Sequence, residues 1–331
     1  MKKHIFIIII VLTSIAQAQH RDAGTVAFPF LTMGYDARAM SMGGAANAMP
    51  NGIYGVLSNP AALGYVDRLQ IMGGYRQVIM DVWGGPFGMA CPTRHGVFAP
   101  HLISLTSGEF DEVNEFGLET GQRAVSSYTA LGVSWARVLR DNVAVGATVK
   151  GAYHYIGVGG ESYSADGFAV DCGVQYRAGN GRLIYGASLR NWGFVRSGYL
   201  GGWNEYEFPY GIEAGVSYTP RHMRNLRVAL DVNKFNGDYA NFEPALEYTV
   251  IAKTLFLRGG YAVSFMDFEK TLDVFRGERD ETYQKSGLNT LSLGIGVESE
   301  MDDVEIKLDA AMQFNSDLSG PSVVVSLIVV F

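Results

Sequence analysis

The residues able to do chemistry in this sequence stand at none of the spacings that enzymes use. It contains no G-x-S-x-G turn for a nucleophilic serine, no H-E-x-x-H pair for zinc, no P-loop, and no G-x-G-x-x-G turn between a strand and a helix. Gly157-Val158-Gly159-Gly160 follows a strand-like run, but no helix pattern comes after it, so it reads as a flexible loop and not a phosphate cradle. No pair of histidines has metal-ligand spacing, and His95, His101, His154 and His222 read as turn or inward-facing residues. Cys91 and Cys172 could form a disulfide in an oxidising compartment. Cys172, however, falls among the apolar positions of a strand and reads as a small hydrophobe. Glu109, Asp111, Glu112 and Glu115 lack the spacing of a calcium loop and read as solvated. The expectation is a non-enzyme with no metal and no cofactor.

What the charged residues do have is a parity. Lys150, Asp171, Arg190, Glu213, Arg227, Asp231, Glu243, Glu247, Arg258, Glu298, Glu305, Lys307 and Asp309 each alternate with aliphatic or aromatic neighbours. One long example runs from Val143, where Val143, Val145, Ala147, Val149 and Tyr153 oppose Ala144, Gly146, Thr148, Lys150 and His154. A period of two marks a strand with one apolar and one polar face. It recurs at 127–139, 167–177, 210–219, 225–234, 240–250 and 303–313.

Composition says which face meets what. The chain has 331 residues, 48% hydrophobic and 18% charged, with 41 glycines and 40 aromatic residues, 18 Phe, 18 Tyr and 4 Trp. That is too apolar for disorder and carries few charges for a soluble surface. A net charge of −7 without basic runs argues against nucleic acid as a partner. In a soluble sandwich the polar face would lie outside and the apolar faces would share a core. Here the polar face also carries the small residues, including Gly132, Gly146, Gly173, Gly186 and Gly215, as a crowded lumen requires. The aliphatic face is therefore assigned to lipid, and outer-membrane lipid is one expected partner. Arginine at Val145 should then be costly, and at Thr148 much less so if the lumen has room.

Candidate strands number fourteen: 68–76, 78–90, 96–107, 127–139, 143–156, 167–177, 182–192, 210–219, 225–234, 240–250, 254–263, 288–298, 303–313 and 321–331. Gly73-Gly74, Gly84-Gly85-Pro86 and Pro92 interrupt the first three. Short connections (140–142, 178–181, 220–224, 251–253, 299–302) alternate with long ones (108–126, 157–166, 193–209, 264–287), as periplasmic turns and outer loops do in an antiparallel transmembrane barrel. The fold class expected is an all-β outer-membrane barrel spanning 67–331.

Ahead of it, Met1-Lys2-Lys3, the apolar run Ile5 to Leu12 and Ala16-Gln17-Ala18 read as a signal peptide cut after Ala18. Residues 19–66 do not alternate. This Gly- and Met-rich segment, with turn signals at Pro50-Asn51-Gly52 and Asn59-Pro60, is either a periplasmic extension or a hatch inside the lumen.

Ala37-Arg38-Ala39-Met40-Ser41-Met42-Gly43-Gly44-Ala45 followed by Asn59-Pro60-Ala61-Ala62-Leu63 resembles the opening pattern of the PorV/PorQ family of outer-membrane proteins. The likeness continues through Gly108-Glu109-Phe110-Asp111-Glu112, Asp171-Cys172-Gly173-Val174-Gln175-Tyr176, Leu189-Arg190-Asn191-Trp192-Gly193 and Leu230-Asp231-Val232, and so covers nearly all of the chain after residue 18. The resemblance implies a FadL-like fourteen-stranded barrel with an N-terminal hatch, and a role in type IX secretion or surface attachment of cargo. The implied partners are other secretion-system proteins or exported cargo. On this resemblance Arg38, Gly43, Gly44, Asn59 and Pro60 are hatch residues, while strand parity makes Lys150, Asp171, Arg190, Asp231, Glu247, Arg258, Glu305 and Lys307 lumen charges. The alternative is a FadL-like channel for hydrophobic small molecules, against which the mixed charges of the lumen weigh; a purely structural barrel is a third reading.

Overall fold

The computed structural model describes residues 26–78, 82–113, 119–140, 142–179, 181–199, 206–236, 238, 240–265, 289–315 and 320–331. The signal-peptide reading lies outside them, as does most of 264–287. Fourteen antiparallel strands close into one barrel, each paired with its sequence neighbours and the first with the last. They are β1 Gln70–Gln77, β2 Trp83–Thr93, β3 Gly96–Val113, β4 Glu119–Arg140, β5 Val143–Val158, β6 Glu161–Ala178 and β7 Leu183–Ser197. β8 Gly211–Tyr218, β9 Leu226–Phe235, β10 Asn241–Ile251, β11 Leu255–Ser264, β12 Thr290–Met301, β13 Val304–Asn315 and β14 Ser322–Val330 complete the wall. Closure leaves no sheet edge with unpaired amides, which is what allows a sheet to stand in lipid.

The faces follow the parity. Leu131, Val133, Val149, Trp192, Leu246 and Leu293 are exposed on the outer surface, whereas Ser134, Thr148, Lys150, Asp171 and Asp231 are buried inside. Aromatic residues mark two belts on the outside. Near the short turns stand Phe98, Trp135, Tyr176, Tyr185, Tyr218 and Tyr248; toward the other end stand Tyr153, Phe168, Trp192 and Phe194. Phe168 and Tyr176 are eight residues apart on one strand, about 26 Å along it and roughly 20 Å of depth at the usual tilt, close to the apolar band of such barrels.

Two connections read as long loops are largely strand. β3 and β4 run on to Val113 and from Glu119, so most of 108–126 extends the hairpin. β5 and β6 meet at a two-residue turn, Gly159-Gly160, both with positive φ. That left-handed pair matches the strand twist of a tight hairpin, so Gly157 to Gly160 is neither a flexible loop nor a phosphate cradle. The alternation fades there because both faces of a sheet that leaves the membrane are wet.

The Gly and Pro interruptions of the first strands do not end them, but they open the ladder. Between β1 and β2 pairing lapses from Gly73↔Phe87 to Arg76↔Gly84, at Pro86. Between β2 and β3 it lapses from Gly88↔His101 to Cys91↔Phe98, opposite Pro100. Neither proline has an N–H to donate. Cys91 and Cys172 are both free.

Candidate functional site

Residues 26–66 lie within the barrel and run from its long-loop end to its short-turn end. Val26 bridges Glu207 in the β7–β8 connection, and at the other end Gly64 packs against Arg137 and Val138, beside the β4–β5 turn. This inner segment contains the five-residue helix α1, Ala37–Ser41, and three 3-10 turns, Pro29–Thr32, Gly52–Leu57 and Pro60–Tyr65. So little regular structure leaves many backbone groups needing partners, and the lumen charges supply them. Asp231 accepts from the amides of Ala46 and Asn47, at 2.9 and 2.6 Å. Asn47 donates to Ser188 and Glu213, Ser217 donates to the Ala48 carbonyl, and Gln175 donates to that of Met49.

Arg38 is the one cation of the described inner segment that reaches into the wall's ion pairs. Its guanidinium binds both oxygens of Glu247 at 2.8 Å and donates to the Pro50 carbonyl. Glu247 also accepts from Arg258, which continues to Asp309, so α1 is tied through one chain of ions to β10, β11 and β13. Deeper in the wall Lys150 pairs with Asp171 at 2.7 Å, and Arg190 with Glu213 at 3.2 Å. Glu305 and Lys307 form a separate group near the short turns, with Arg68 and Glu298. Asp36 caps α1 by accepting from the Arg38 amide. Burial, with Asp309 nearby, pushes its carboxyl up to about 7, and Arg38 only partly opposes this.

The motif residues touch the wall closely. Gly43 and Gly44 have φ of 71° and 106°, and a Cβ on Gly43 would stand 2.9 Å from the Tyr261 amide. Asn59 caps the turn Pro60–Tyr65 by accepting from Ala61, and donates to the carbonyls of Asn47 and Val174. Asp36, Asn47 and Tyr54 are site residues that sequence reasoning passed over. Their only signal was their position among the turn-forming residues of a segment without periodicity.

His101 and His154 face the lumen, whereas His95 and His222 are in exposed turns. Of the acidic run, Glu109 pairs with Arg123 across β3 and β4, and the side chains of Glu112 and Glu115 lie outside the described residues. Among the described residues no cluster of three His, Cys, Asp or Glu side chains suits a metal.

Two apolar regions flank this polar centre. Toward the long-loop end, Phe28, Phe30 and Leu31 pack on Ile103, Leu105, Ala130, Ala152, Ala169 and Val195 of the inner wall. On the lipid side of β1–β6 lies a groove of about 610 Å³ lined by Ile71, Phe87, Leu131, Val149 and Phe168. Its floor reaches Gly88, Gly132, His101 and Lys150, all of them inward-facing positions, where the β2–β3 ladder lapses.

No family model and no curated protein matches the chain. Solved structures do. The toluene transporter TodX of Pseudomonas putida superposes with a TM-score of 0.63 at 15% identity, over 90% of this chain and 99% of TodX. The monoaromatic hydrocarbon channel CymD gives 0.63 at 12%, over 92% of this chain and 98% of CymD. The fold is that of these FadL-like channels. At such identities the likeness extends to architecture alone, and none of it supports the narrower PorV/PorQ assignment.

Proposed function

We propose that the chain is an outer-membrane channel for small hydrophobic molecules, with its short turns toward the periplasm and an export signal cleaved after Ala18. The observation that carries this reading is the wall groove. An apolar solute passing between the lumen beside His101 and the lipid face would cross at Gly88 and Gly132, next to the interrupted β2–β3 ladder. A glycine floor removes the side chains that would otherwise close such a window. The apolar outer lumen and the fold shared with TodX and CymD support the same reading. The mixed charges do not oppose it, because they bind one another and the inner segment. The test is uptake of radiolabelled toluene by vesicles holding the protein. Uptake should exceed that of empty vesicles and fall several-fold in Gly132→Leu, whose side chain would meet His101 at the window. Equal uptake by the parent, the variant and empty vesicles would reject the channel.

A second reading, a secretion-associated barrel acting through contacts with secretion partners or exported cargo, is supported by the motif order and by the β3–β4 hairpin, which continues to Val113 and Glu119 beyond the outer belt. Shortening 108–126 should then accumulate cargo in the periplasm while insertion stays normal. Normal export would leave the channel reading alone.

A further inference from the structure

The polar part of the lumen holds two cavities. One, of about 170 Å³, opens toward the long-loop end and is lined by Asp36, Arg190, Glu213, Asp231, Asp238 and Glu243. The other, of about 180 Å³, lies toward the short turns and is lined by Arg38, Arg177, Glu298, Lys307 and Asp309. Asp36 and Tyr54 line both. The two cavities thus meet at these two residues.

The two partition residues are held differently. Asp36 is fixed at the start of α1, whose first amide, that of Ala37, also donates to Ser326 of β14. Tyr54 comes from the turn Gly52–Leu57, and its hydroxyl spans to the β1 wall, where it donates to the Gly73 carbonyl at 2.8 Å. That carbonyl belongs to the last pair before the β1–β2 ladder lapses. That hydrogen bond, together with packing among Ile53, Leu63 and Met72, holds the Tyr54 ring in place.

We propose that the barrel carries, besides any hydrophobic route, a narrow aqueous path for small hydrated cations, closed by the Tyr54 side chain against Asp36. The lining chooses the sign of the ion. Five acidic side chains and one guanidinium line the outer cavity and three groups of each sign line the inner one, so acidic groups are in excess along the path and a cation is favoured on entry. Both cavities are also large enough for several waters, at roughly 30 Å³ of liquid each, and are polar enough to keep them.

The experiment is current across planar bilayers in KCl, with a salt gradient to read selectivity. The parent should show low conductance with brief openings. Tyr54→Ala should raise the open conductance several-fold, and Tyr54→Phe, which keeps the ring but loses the Gly73 tether, should raise the frequency of openings without changing their size. The reversal potential should favour K⁺ over Cl⁻ in both. Faster migration of unheated than of heated samples in gels certifies the folded barrel, and Tyr54→Phe keeps the test decisive if Tyr54→Ala does not fold. Folded variants as silent as the parent, or currents without cation preference, would overturn the proposal. Toluene uptake is read separately, so the aqueous path can fail while the hydrophobic route stands, and the reverse.

Discussion

At the residue scale the inner segment is held by a small number of buried charges. Arg38 bridges Glu247, and removing it leaves that carboxylate with Arg258 alone while the Pro50 carbonyl loses its donor. Breaking a buried pair on one side costs about 3 to 5 kcal/mol, so Arg38→Ala should loosen the inner segment by an amount of that order. Protease cleavage within residues 26–66 should become detectable while the wall strands stay protected. Asp36 adds a pH dependence. Its folded carboxyl is raised above the ordinary value, so its contribution to docking is complete below about pH 4 and is lost as pH rises through about 7. Protection of the α1 amides, read as exchange relative to the intrinsic rate at the same pH, should be lower at pH 8 than at pH 6. Asp36→Asn should abolish that difference; a difference that persists would assign it to another group.

At the element scale, strand faces decide what a substitution costs. Val149 is 63% exposed on the outer face of β5, so Val149→Arg should cost about 2 to 4 kcal/mol near the middle of the bilayer, read by urea unfolding in vesicles. Thr148, its neighbour, is only 1% exposed and its hydroxyl bonds Ser134 at 2.7 Å. The lumen therefore has no room at Thr148, and the tolerance expected there from parity alone is corrected: Thr148→Arg should be at least as damaging as Val149→Arg. Parity distinguishes inside from outside, but not an open lumen from a filled one. The glycines of the inner face show what fills it. A Cβ on Gly186 would stand 2.1 Å from the Asn47 carbonyl oxygen, and one on Gly260 2.1 Å from the Met42 carbonyl carbon. Gly186→Val should displace the inner segment and raise sensitivity to large antibiotics, with barrel assembly unchanged.

At the scale of the whole molecule, the outer belts set the position in the bilayer. Trp135 and Trp192 both point outward from opposite ends of the wall, so brominated lipids should quench each most strongly near an interface, with weak quenching from bromines at the mid-plane. Mid-plane quenching of either would move the apolar band. Much of this architecture was legible in the chain. A strand must put alternate residues on alternate faces, so fourteen runs of period two, their turns and the lipid face were written locally, at Val143 to His154 as clearly as anywhere. The inner segment was not, because a chain with almost no repeating structure has no period. Arg38 meets Glu247 across 209 residues, and Asn47 meets Ser188 across 141. The extended hairpins were missed for a related reason, since wet strands lose the contrast between faces. The interrupted wall was half legible: Pro86, Pro100 and their glycines announced an interruption, but only the registers of the β2–β3 and β3–β4 pairs bring Gly88, His101 and Gly132 side by side over one lipid-facing groove. Sequence alone thus determined what each strand turns toward the membrane, which depends on neighbours two residues away. Tertiary structure decided what fills the lumen, because those contacts exist only once strands distant in the chain have closed around the inner segment.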